Sequence, residues 1–97
     1  MNIHEEFIQS FNNIEKILKE EVDNQDYLPF YRLVDLNSKK NKIVKKHKRE
    51  LKVLADLRNI IVHGDIKNPV AVPSKNSLEK IKFIEKQLFN PPKIMEV

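Results

Sequence analysis

The sequence predicts an all-α fold, a bundle of four to five helices running up and down around one core. Three observations predict it. Apolar residues recur at steps of three and four through three long stretches. The single glycine and the five prolines fall at or beyond the ends of those stretches. No sustained alternation of apolar and polar residues calls for a strand.

The first stretch sets Ile3, Phe7, Phe11, Ile14, Leu18 and Val22 on one stripe, with Ile8 and Ile17 beside it, and so predicts an amphipathic helix. It is expected to end near Asp23-Asn24-Gln25-Asp26, polar residues that compete with the backbone for hydrogen bonds. Tyr27 to Leu36 reads as a short second helix with Pro29 in its first turn, where the missing N–H costs little. A third helix, capped by Asn37 or Ser38, carries Ile43, Val44, Leu51, Leu54, Leu57 and Ile61 inward and Lys42, Lys45, Lys46 and Arg49 outward. Gly64 directly after His63 predicts its end, because glycine accepts the left-handed conformation that terminates helices. Residues 65–73, with Pro69, Pro73 and Val70-Ala71-Val72, read as a partly extended connection. Ser74 or Asn76 then caps a fourth helix bearing Leu78, Ile81, Ile84 and Leu88, with Glu79 placed to complete a capping box with Asn76. Asn90-Pro91-Pro92 cannot continue a helix, so residues 1–90 read as one helical domain and 91–97 as a Pro-rich tail leading into a further domain.

At 97 residues the chain has room for one modest core. With no cysteine it has neither a disulfide scaffold, a thiolate metal site nor a cysteine nucleophile, which fits a reducing cytoplasm. The acidic start, Met1-Asn2-Ile3-His4-Glu5-Glu6, does not read as a signal peptide, and no apolar run approaches the roughly 20 residues that cross a bilayer. A soluble protein without membrane contact is expected. The net charge of +4 is segregated: residues 1–26 hold seven acids against two lysines, a net of −5, leaving +9 for the remainder. Eight Lys or Arg stand between Lys39 and Lys52 against Glu50 alone. Such a stripe is either a solvated helix face or a surface that attracts polyanions independently of their sequence.

The three histidines, at 4, 47 and 63, have no metal-ligand spacing, and neither a metal nor a cofactor is expected. His4 reads as a surface residue near a frayed end, and His47 as a partly buried side chain with one hydrogen bond. Chemistry concentrates in Arg58-Asn59-Ile60-Ile61-Val62-His63. Residues four apart share a helix face, so Asn59 is placed to orient His63, with Asp56 on the same side. Arg58 and His63 diverge by about 140° on one regular helix and meet only at a helix end or across two chains. An imidazole that titrates near neutrality can move a proton, and a guanidinium can hold a phosphate bidentately. The plainer alternative is that His63 ends a helix while Arg58 pairs with a surface acid.

Arg58, Asn59, three apolar residues and His63 resemble the R-x4-6-H motif of the HEPN superfamily, in which Asn, Asp or His often follows the arginine. The run Leu54 to His63, then Pro69 to Pro73, a closing helix and Asn90-Pro91-Pro92, is similar to HEPN-like domains that precede paired CBS domains, and this similarity covers essentially the whole chain. The resemblance implies a homodimer whose motif helices pair, so that two Arg and two His converge. It implies a metal-independent endoribonuclease in which His63 acts as general acid or base, Arg58 neutralises phosphoryl charge, Asn59 orients His63 or the phosphate, and Lys42, Lys45, Lys46 and Arg49 hold the RNA backbone. It equally accommodates a non-catalytic dimerisation or ligand-binding module that regulates an attached CBS-type domain. The partners implied are RNA, a second copy, and an antitoxin or attached regulatory domain. Ile60, Ile61 and Val62, three successive apolar residues, are more than one small bundle readily buries.

Overall fold

The computed structural model describes residues 2–22, 27–63 and 73–90, the side chains of Val62 and His63 excepted. Five helices stand among them: α1 (Ile3–Glu21), α2 (Phe30–Ser38), α3 (Lys42–Lys46), α4 (Lys48–His63) and α5 (Lys75–Phe89). The expected turn at Asp23–Asp26, the connection after His63 and the tail 91–97 lie outside the described residues.

The Asn2 side chain starts α1 by accepting from the Glu5 N–H at 2.9 Å, and Glu5 and Glu6 place negative charge on the positive end of the helix dipole. Phe7, Phe11, Ile14 and Leu18 bury the predicted stripe, each 3% exposed or less, whereas Val22 at its end is only half-buried. Removing each such side chain from water contributes about 1.5–3 kcal/mol, so this stripe outweighs the chain's surface ion pairs. Leu33 and Val34 from α2, Val44 from α3, Leu51, Leu54 and Ala55 from α4, and Ile81 and Ile84 from α5 complete the core. At the α1–α5 seam, Lys82 pairs with Glu6 at 2.9 Å and the Asn13 amide donates to Glu85 at 2.7 Å.

Several local expectations are corrected. Pro29 is not inside α2 but directly before it, extended at φ −61° and ψ 152°, because a residue preceding proline avoids the helical region and Leu28 cannot begin the helix. Asn37 and Ser38 do not cap the third helix; both lie in α2. Asn37 is fully buried and donates to the Leu18 carbonyl at 3.0 Å and the Leu33 carbonyl at 2.8 Å, tying α2 to α1. The cap falls to Asn41, which accepts from the Ile43 and Val44 N–H groups at 2.9 and 3.2 Å. The single long third helix is broken at His47 (φ −103°, ψ 15°) into α3 and α4. Ser74 caps α5, accepting from Ser77 N–H at 3.0 Å, and its hydroxyl also bonds that of Ser77; Asn76 and Glu79 are exposed and form no capping box.

The up-and-down alternation also fails at its first step. Phe11 stacks on Phe30, Leu18 receives Asn37 and the Glu21 carbonyl receives the Lys40 ammonium, a constant offset along both helices. α1 and α2 therefore run in the same direction. α4 runs opposite to α2, as Tyr31 meets Asp56 while Asp35 meets Lys52 and Lys48.

Candidate functional site

At 100° per residue, Arg58 projects within about 60° of Leu51, Leu54 and Ala55, so it belongs to the buried side of α4. Its guanidinium lies over the Phe11 ring, 5.3 Å from the centroid, and Phe11 in turn stacks on Phe30 at 4.5 Å. Nη1 donates to the Asn59 Oδ1 at 3.2 Å, whereas Nε is buried with no hydrogen-bond partner among the described residues. The plainer alternative, a pairing of Arg58 with a surface acid, is not found among the described residues, where an aromatic face and a neighbouring amide engage the guanidinium instead. A cavity of about 150 Å³ opens beside it, walled by Phe11, Pro29, Phe30, Tyr27 and Tyr31 and bearing Glu15, Arg58 and Asn59 as its polar groups. The Tyr31 hydroxyl donates to Asp56 Oδ1, which holds that ring against the cavity. Tyr27, Tyr31 and Glu15 were not singled out as site residues. Their sequence signal was only aromatic composition near Pro29, and the return of α2 alongside α1 is what gathers them.

α4 continues as one helix from Lys48 through Arg58 to His63. Position 63 accordingly lies about 140° around the helix from Arg58, on the side that holds Asp56 and Ile60. The imidazole itself is outside the described side chains. The same face carries Ile60 and Val53, seven residues apart and 45% and 59% exposed, an apolar pair open to solvent.

Of the four cations expected on RNA, Lys45, Lys46 and Arg49 meet in a shallow concavity completed by Lys48, Lys52, Val53 and Asp56. Lys42, in the first turn of α3, is exposed but does not line it. Lys52 and Lys48 both reach Asp35 Oδ1, at 2.8 and 3.1 Å, and these hydrogen-bonded ammonium groups, Lys52 foremost, hold the Asp35 carboxyl below its ordinary range. Among the described residues, Lys45, Lys46 and Arg49 form no ion pair and carry the uncompensated charge.

His47 is 9% exposed, with Nε2 3.2 Å from Gln87 Oε1, Nδ1 3.4 Å from Glu50, and its ring edge-on to Phe83. These contacts make it a structural residue. His4, expected on the surface, is half-buried with its Nε2 enclosed and unpartnered. Among the described residues no cluster of three potential metal ligands occurs and no helix is long and apolar enough to cross a membrane. In comparisons with known proteins, no family model, no curated protein and no solved structure matches the chain.

Proposed function

We propose that the chain is a HEPN-type domain that cleaves RNA without a metal ion when two copies pair. The observation that carries this reading is the site around Arg58. The complete Arg58-Asn59-x3-His63 pattern occupies the end of α4, Arg58 opens onto an aromatic cavity, and the uncompensated Lys45, Lys46 and Arg49 stand around the α3–α4 junction. His63 takes the proton of a ribose 2′-hydroxyl or returns one to the leaving 5′-oxygen, Arg58 offsets the charge that grows on the phosphoryl group, and Asn59 holds the Arg58 fork. A cleft shared by two copies, closed where the ends of their α4 helices meet, removes the 140° constraint that one helix imposes. The exposed Val53 and Ile60 give that face apolar surface to bury.

The experiment is incubation of a labelled mixed RNA with wild type and with His63→Ala in excess EDTA, with product ends read on a gel and mass measured by light scattering. Discrete products with cyclic-phosphate ends from a wild-type dimer alone support the reading. Intact RNA with both folded proteins sinks it and leaves the second reading, a non-catalytic dimerisation or ligand-binding module that regulates an attached CBS-type domain. One observation favours that alternative: the Arg58 guanidinium is already engaged by Phe11 and Asn59 on the buried side of α4.

A further inference from the structure

We infer that the cavity between α1, α2 and α4 receives one unpaired nucleobase, and that the adjoining basic concavity holds the phosphates of the same strand, so that the ligand is single-stranded rather than duplex RNA. This rests on the RNA reading above and deepens it by naming the strandedness and the two subsites.

The cavity has groups that suit a base. The aromatic side chains of Phe11, Phe30 and Tyr31 line it beside its polar groups, and Tyr27, 82% exposed, stands at its edge with a ring open to stacking. Tyr31 is fixed by its hydrogen bond to Asp56 and presents a second ring. Among the described residues no ion pair joins Glu15 to Arg58, so a carboxylate and a guanidinium share one small space without satisfying each other. A nucleobase edge, which carries both hydrogen-bond donors and acceptors, meets both groups. A base stacked in a duplex exposes no face to two tyrosines, whereas an unpaired one does.

The second subsite adjoins the first. Asp56 lines the basic concavity and its bonding partner Tyr31 lines the cavity, so one hydrogen bond forms the divide between them. From Arg58 to Arg49 is about 14 Å along α4 at 1.5 Å per residue, a distance that a few extended nucleotides span. With Lys48 and Lys52 committed to Asp35, Lys45, Lys46 and Arg49 are the cations available to the backbone.

The test is fluorescence anisotropy with a labelled mixed-sequence RNA of about 8 nucleotides, single-stranded or annealed to its complement, in EDTA. To prevent cleavage during titration, each protein also carries His63→Ala. Tyr27→Ala removes an exposed ring that makes no hydrogen bond among the described residues, and is expected to weaken single-strand binding roughly tenfold or more while leaving duplex binding unchanged. Tyr27→Trp is expected to restore it, and Arg49→Glu to weaken both ligands. Equal affinity for single strand and duplex, or Tyr27→Ala binding the single strand like its parent, overturns the inference. Tight Tyr27-dependent binding with no cleavage by wild type removes the nuclease reading and leaves the inference standing; cleavage indifferent to Tyr27 does the reverse.

Discussion

Replacing Arg58 by Met separates its two roles, because methionine keeps an apolar stem in place and removes the charge. The change forfeits the cation over Phe11 at 5.3 Å, about 0.5–1 kcal/mol at an exposed site and about 2 when desolvated, so about 1 kcal/mol for this half-buried side chain. It also removes the hydrogen bond to the exposed Asn59, a term of about 0.5 kcal/mol or less at a surface position. Against these losses it relieves the buried Nε that has no partner among the described residues, a group whose enclosure costs on the order of 1 kcal/mol. The net change in stability is about 1 kcal/mol or less, a fall of at most about 4–8 °C in Tm for a domain of this size. If Arg58 offsets phosphoryl charge, the same substitution lowers single-turnover RNA cleavage about 100- to 1000-fold. Thermal unfolding by circular dichroism and cleavage in EDTA read the two effects on one sample. A loss of about 3 kcal/mol or more would mean that the guanidinium is a structural keystone, and cleavage within about tenfold of wild type would refute its catalytic role.

Asn37→Ala removes the buried amide that joins the Leu18 and Leu33 carbonyls and is expected to cost about 2 kcal/mol in urea unfolding; a change under about 0.5 kcal/mol would show that the α1–α2 tie is dispensable. Phe11→Ala empties the core beneath Arg58 and should cost about 3–5 kcal/mol, enough to leave so small a domain largely unfolded by circular dichroism; a folded variant of near wild-type stability would contradict the packing described. For Asp35, the folded-state pKa is depressed, so its contribution to stability is fully present above the ordinary value of 3.8 and is lost as pH falls through the lower folded value. The stability difference between wild type and Asp35→Asn should therefore shrink as urea titrations move from neutral pH to below 3.8; a difference independent of pH would show that Lys52 and Lys48 do not hold the carboxylate charged.

The helices legible in the sequence are those whose signal is local. α1 and α5 follow from stripes at helical spacing, and Phe7, Phe11, Ile14, Leu18, Ile81 and Ile84 are buried where the period places them. Caps were less legible, because several Asn and Ser residues competed for each boundary. Asn37 has the chemistry of a cap, yet burial beside Leu18 turned its amide inward and left Asn41 to do the capping. The break at His47 carries no glycine or proline, and its contacts to Gln87 and Phe83 on α5 are made 40 and 36 residues away in the chain.

The same division runs through the candidate site. Residue identity and spacing were sufficient to single out Arg58, Asn59 and His63, to set Arg58 and His63 about 140° apart on one helix, and to mark the cationic stretch, since helix geometry and charge are properties of neighbouring residues. Tertiary packing decided what those residues touch. The same-direction course of α1 and α2 brings Phe11, Glu15, Tyr27 and Tyr31 around Arg58, and Asp35 withdraws Lys48 and Lys52 from the pool of available cations. Such meetings between residues distant in sequence depend on how helices are stacked and directed, and a periodicity that repeats every 3.6 residues carries no information about either.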